Sequence, residues 1–330
     1  MDCGAYIWVG VERVVFSQRS LPRPAGDGTM PRMAAQTTWF TFVSPDIWLG
    51  EFRLPPDHPG WHLPNAISVR APLIAFPRTT VRIDQEGKPS IVADPTRAVL
   101  YAAGQRYRRG LVSGEGDRCS FITFSHALAA QAALPFDTRA DDPATYRFPF
   151  VAAAVDAPDY QRHQRTRQRV ADPTRAADED AIREELYWLL GRVVANGYSQ
   201  HAGHALRRSA AAGQDAVDAV RVAIGRDLSI THSLDELGER ACLSPFHLAR
   251  VFRSLTATSI HAYRTQVRLR ASIARIADGE ALANVAAEVG FSSQEHLTDR
   301  FHRAFGMAPN AWRREMSRIV KARGEFARLA

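Results

Sequence analysis

Hydrophobic and polar positions change their period twice along this chain. Between Thr37 and Phe124, short runs rich in β-branched and aromatic residues recur: TTWFTFV, SVRAPLIAF, TTVRID, SIVAD, AVLYAAG and SFITF. Breakers such as PPDHPG, DQEGKP and SGEGD separate them. Regularly spaced short runs with turn residues between them predict an all-β sandwich or a small barrel, with EGKP as a hairpin loop. From Asp178 the period becomes helical. Ile182, Leu186, Leu189, Leu190, Val193 and Val194 fall on one stripe, so this helix either packs on its own domain or pairs with a second subunit. NGYSQHAGH reads as a break, and a further helix is expected from about Asp215 to Asp227.

The C-terminal stretch contains an internal repeat. Ser244, Leu248, Phe252, Ala257 and Tyr263 recur 49 residues later as Ser293, Leu297, Phe301, Gly306 and Trp312. Before the turn the offset is 48, pairing Leu234, Leu237, Gly238 and Cys242 with Leu282, Val285, Ala286 and Gly290. Each copy reads as helix, tight turn, helix. In the second copy Gly290 suits a turn needing positive φ, and Ser292 or Ser293 is placed to cap the next helix. Glu295 stands three residues after Ser292, in capping-box spacing; Gly306 and Pro309 end the helix. Ser233 and Glu236 form the matching box in the first copy, and Ile260–Ala277 is expected to be the helix between the two copies.

Two such helices about one DNA turn apart enter successive major grooves from one chain. On the first, Pro245, Phe246, His247, Ala249 and Arg250 lie off the core stripe. Arg250 suits guanine or phosphate, and Phe246 a thymine methyl group. On the second, Gln294, Glu295, His296 and Asp299 face outward. Gln294 suits an adenine edge. Glu295 and Asp299 repel phosphate, so each is expected to accept from a cytosine amino group, to bind through water or to serve the helix cap, with capping the stronger reading for Glu295.

From about Leu234 to Arg313 the chain resembles the AraC/XylS family of bacterial transcription regulators. The resemblance rests on both copies and most on the segment Gly290–Phe291, Ser293, Leu297, Phe301, Gly306, Pro309 and Trp312. It implies a seven-helix DNA-binding module with its linker helix around Arg268 and Leu269. It also implies a cupin-like effector-binding barrel followed by dimerisation helices. Cys242 stands where the family has a turn glycine, and Ala257 and Ile260 where it has Gly and Pro, so a less sharply ended first helix is expected. Cys242 is read as a small buried turn residue in preference to a redox switch.

Composition adds limits. The net charge is +7, and Lys88 and Lys321 are the lysines of an otherwise arginine-based positive set. Arginine suits phosphate and guanine, but genomic base composition is the stronger source of this bias. Three scattered cysteines form no zinc or disulfide pattern, no run approaches a membrane span, and no signal peptide is read. No GxSxG, HExxH or phosphate-loop motif occurs, so no enzyme, cofactor or metal is expected. His58 and His62 are read as exposed loop histidines. Arg106, Arg108 and Arg109 around Tyr107 are either a basic patch or the solvated side of a strand. The run Gln161–Val170 is read as a solvated linker or helix face ahead of a phosphate contact.

The expected fold is therefore α+β: an N-terminal cupin-like β-barrel, a helical linker and dimerisation region, and an all-α C-terminal domain with two helix-turn-helix units. The expected domains are 1–36, disordered or a mis-annotated start with Met30 or Met33 as true start; 37–135, effector-sensing; 136–213, linker and dimerisation helices; and 214–330, DNA-binding. The expected function is a cytoplasmic, nucleoid-associated regulator of double-stranded promoter DNA. Its expected partners are a small-molecule effector, a second copy of itself and, for an activator, RNA polymerase. The alternative is a small-molecule-binding or metal-dependent cupin-type enzyme carrying a DNA module.

Overall fold

The computed structural model describes residues 37–170, 179–205 and 211–326. The expected disordered start, with Met30 and Met33, lies outside them. Among the described residues ten strands form two antiparallel sheets. They are β1 (Thr37–Val43), β2 (Ile47–Leu54), β3 (Asn65–Ala66), β4 (Leu73–Pro77), β5 (Val81–Gln85), β6 (Ile91–Ala93), β7 (Arg97–Tyr101), β8 (Arg106–Leu111), β9 (Asp117–Phe124) and β10 (Ala152–Ala154). One sheet runs β1-β2-β9-β4-β7-β10 and the other β3-β8-β5-β6. No strand pairing joins the two sheets among the described residues, so the expected barrel is instead a sandwich of two open sheets. EGKP does close the β5–β6 hairpin, with Val81 opposite Ala93 and Gly87 at φ 73°.

The larger sheet is covered on both faces, and its sequence reflects this. Phe52, Leu54, Leu73, Ala75, Val99, Tyr101 and Phe121 face the smaller sheet. Ile47, Leu49, Ile74, Phe76, Ala98, Leu100, Ile122 and Phe124 face the helices. A strand buried on both sides loses its alternation, which is why β4 is buried throughout. The pattern reading missed β2 because Gly50 and Glu51 interrupt its apolar run. Gly50 lies against Phe121, where a Cβ would meet the ring at 2.4 Å. Glu51 is buried and accepts hydrogen bonds from Arg78 (2.7 Å) and Arg167 (3.4 Å).

The helices are α1 (His126–Ala133), α2 (Ala157–Val170), α3 (Glu179–Ala205), α4 (Ala211–Arg226), α5 (Leu234–Arg240), α6 (Pro245–Thr256), α7 (Ile260–Ala277), α8 (Leu282–Glu288), α9 (Gln294–Phe305) and α10 (Pro309–Phe326). Among the described residues none is long and apolar enough to cross a membrane. Three expectations for the middle of the chain are corrected. First, β10 joins the edge of the large sheet beside β7 within what was read as linker.

Second, α3 runs unbroken through NGYSQHAGH. Tertiary contacts hold that turn in helix: Phe150 packs on Gly197, and Asn196 and Gln200 hydrogen-bond the backbone of Ala154. The apolar stripe of α3 packs on its own domain. Third, the arginine run is α2, and one side of it is core. His163 is fully buried, stacks on Phe76 and lies 2.6 Å from the Ser120 hydroxyl. Burial, with Arg167 and Arg78 adding to it, pushes the His163 pKa down to about 3. Arg165 pairs with Glu315 on α10 at 2.8 Å, so α2 bridges the sandwich and the C-terminal helices.

A second seam joins the sandwich to α4 and α7. Asp94, fully buried at the end of β6, accepts from Arg221 (2.7 Å) and from the Tyr263 hydroxyl (3.0 Å). Arg270 donates to the carbonyls of Pro95 (2.6 Å) and Val155 (2.7 Å).

Candidate nucleic-acid interface

Local chemistry builds each half of the repeat. Ser233 accepts from the Glu236 amide while the Glu236 carboxylate accepts from the Ser233 amide, completing the expected box on α5. Gly238 lets α5 approach the next turn, since a Cβ there would meet the Leu243 carbonyl at 2.7 Å. Ser244 caps α6 by accepting from the His247 amide, and Pro245 occupies the first turn. Leu248 and Phe252 are buried beneath α6, Leu255 is half-buried, and all three pack with α4 residues Val217, Val220 and Ile224.

The turn and the helix end of this first unit use left-handed backbone without glycine. Cys242 has φ 53° and Ala257 has φ 58°. Ala257 still closes α6 by donating its amide to the Arg253 carbonyl, as Gly306 closes α9 with the His302 carbonyl. The helix is thus ended as sharply as its partner, contrary to the expectation. Cys242 is exposed rather than buried, a second correction.

In the second unit Ser293, not Ser292, caps α9, accepting from the His296 amide at 3.1 Å. The third helical position is then His296, so Glu295 does not complete a capping box. It lies in the first turn, where hydrogen bonds from the Ser293 side chain and its own amide hold its carboxyl below the ordinary value. Gly290 at φ 84° is required twice over, because a Cβ would also strike the Leu228 carbonyl at 2.3 Å. Arg268 on α7 braces this turn by donating to the Gly290 carbonyl (2.5 Å), the Ile230 carbonyl (3.0 Å) and the Thr231 hydroxyl (3.1 Å).

All nine residues singled out from the sequence lie on the outer faces of α6 and α9. Phe246 is 80% exposed, Pro245 is half-buried, and His247, Ala249, Arg250, Gln294, Glu295, His296 and Asp299 are exposed. The Arg250 side chain has no hydrogen bond or ion pair among the described residues. The second face is internally tied. Asp299 pairs with Arg303 at 3.0 Å, and His296 meets Ser292 at 3.0 Å and Arg300 at 3.4 Å. Arg303 was missed by the sequence reading. Its spacing of four residues from Asp299 was the available signal.

Other sequence candidates fall elsewhere. His58 is buried and its Nδ1 accepts the Gly60 amide at 2.9 Å, which corrects the exposed-loop reading; His62 is exposed. Arg109 points into the sandwich, pairing with Asp117 at 3.0 Å and lying over the Phe52 ring, while Arg106 and Arg108 face solvent.

Residues 237–315 match the family described as "Helix-turn-helix domain". The C-terminal region contains a helix-turn-helix domain. Three solved structures are similar to this chain. A DNA-binding transcriptional dual regulator from Escherichia coli K-12 is 20% identical over 32% of this chain and 94% of its own, with a TM-score of 0.30. ToxT from Vibrio cholerae is 12% identical over 82% of this chain and 98% of its own, with a TM-score of 0.32. A regulator of the AraC-type DNA-binding class from Chromobacterium violaceum is 19% identical over 33% and 94%, with a TM-score of 0.29. Within this domain, α6 and α9 are the second helices of the two units, and α7 connects them.

Proposed function

We propose that this protein is a sequence-specific DNA-binding transcription regulator of the AraC/XylS type whose sandwich domain receives a regulatory ligand or partner. The observation that carries the reading is the pair of capped, exposed helices α6 and α9 on either side of the braced helix α7. Helices of this form place base-reading side chains in major grooves. The nine outward residues are the proposed readers, with Arg250 as the main base or phosphate donor. Regulation follows from attachment. The sandwich holds α4 and α7 through Asp94 and Arg270, so a change in the sandwich alters how the two readers are presented.

Residues 37–135 are proposed as the sensing part, 136–213 as linker and dimerisation elements, and 214–330 as the DNA-binding part. Because the α3 stripe is occupied within the chain, a homodimer would use other surfaces of this region. An activating role would add contact with RNA polymerase. The setting proposed is the cytoplasm, on the nucleoid.

Genome-wide mapping of bound sites, followed by a gel-shift titration on a recovered site, tests the reading. A shared motif with two elements about one helical turn apart is expected. Binding that shows no preference over competitor DNA at fixed salt would refute it.

A further inference from the structure

A cleft of about 340 Å³ separates the sandwich from α4, α7 and α8. Its rim carries charges of both signs. The carboxylates of Glu115, Asp227, Asp278 and Glu288 are exposed and that of Glu280 is half-buried, and exposed Arg226 and half-buried Arg118 and Arg275 stand among them. Arg275 gathers three of them, pairing with Glu115, Glu280 and Glu288. The buried wall is cationic. Arg270 is 4% exposed and donates its two Nη groups to carbonyls, with no carboxylate against it. Arg78 shares the single carboxylate of Glu51 with Arg167. Tyr160 lies between, with the Arg270 guanidinium 5.2 Å from its ring centre.

Two features of this wall point to a ligand. Arg78 shares its carboxylate partner with a second arginine, and Arg270 makes no ion pair, its Nη groups being held by carbonyls alone. The Nε–H groups of Arg78 and Arg270 are also buried and have no hydrogen-bond partner among the described residues. Buried donors of this kind are normally satisfied, and an arginine edge left open matches the paired oxygens of a carboxylate or phosphate. The size suits a small metabolite.

We propose that this cleft is a binding site for a small oxyanionic metabolite, a di- or tricarboxylate or a phosphomonoester, seated between Arg78 of the sandwich and Arg270 of α7. Such a ligand bridges the sensing part to the helix that joins both readers. That occupancy changes operator affinity rests on the regulator reading above. Occupancy itself does not, so it is tested without DNA.

The test is calorimetric titration of the full-length protein with succinate, citrate and inorganic phosphate, each against sodium chloride at matched ionic strength. At least one probe is expected to bind saturably at one site per chain. Carboxylate binding without phosphate binding identifies an acid metabolite, and the reverse a phosphorylated one. Arg78→Gln and Arg270→Lys should each weaken that binding about tenfold or more, whereas Arg226→Gln at the exposed rim should change it less than about twofold. If Arg270→Lys fails to fold, Arg78→Gln alone decides. No saturable binding by any probe overturns the proposal, as does binding that Arg78→Gln leaves unchanged.

Discussion

The two helix-turn-helix units share a pattern and divide its demands differently. The second has relaxed backbone at both critical points, with Gly290 in the turn and Gly306 at the helix end. Its outer face is tied up: Asp299 by Arg303, Glu295 by Ser293, His296 by Ser292 and Arg300. The first puts Cys242 and Ala257 into left-handed backbone, yet its outer face keeps Arg250 unpaired and Phe246 80% exposed. On the proposed function, the better-formed half is thus the poorer reader. Their attachments differ as well. The second unit shares one large apolar core with α2, α3 and the sheet, whereas α4, which packs under the first, docks to the sandwich through the Arg221–Asp94 ion pair.

The attachments give the largest expected effect. Asp94→Ala leaves Arg221 buried without its carboxylate, and should cost about 3–5 kcal/mol in chemical denaturation. The same ion pair predicts a pH dependence. Burial raises the Asp94 pKa, but Arg221, Thr96 and Arg97 together hold it below its ordinary 3.8. A lowered acid pKa means stability that is fully present above the unfolded value and is lost as pH falls through the folded one. Wild-type stability should therefore fall below about pH 4, and the Asp94→Ala variant should lack that component of the loss. An equal acid response in both proteins would remove the distinction between the polar and apolar seams.

Turn chemistry comes next. Gly290→Ala combines a disfavoured φ with a backbone clash and should cost about 3 kcal/mol or more. Arg250→Ala should weaken binding to a recovered operator by about 1–3 kcal/mol without changing the unfolding midpoint. The smallest effect is expected at the strained turn. Cys242→Gly should stabilise the chain by about 0.5–1 kcal/mol, through relief of left-handed strain partly offset by chain entropy. A destabilising Cys242→Gly would show that the first turn is not strained.

The C-terminal half was legible because its signals are local. Caps, turn residues and the Leu248–Phe252 and Leu297–Phe301 stripes each act within a few residues. The departures at Cys242 and Ala257 marked the two positions that take positive φ without glycine. The features that join the halves were not legible, because they depend on residues far apart in the chain. Asp94 meets Arg221 and Tyr263, and Glu51 meets Arg167 from α2, across separations that no periodicity records. NGYSQHAGH has the composition of a break, and the contacts of Phe150 and Ala154 override it. Arg109 is an intermediate case. It is two residues from buried Tyr107 on β8, so strand alternation was a signal for placing it inside, yet the sequence reading grouped it with Arg106 and Arg108.

The division of labour between the units is tested most directly by titrating one recovered operator, at fixed salt, with wild type, Arg250→Ala and Asp299→Ala side by side. The account predicts a loss of about tenfold or more for Arg250→Ala and a change within about threefold for Asp299→Ala. A large loss for Asp299→Ala with little change for Arg250→Ala would contradict it.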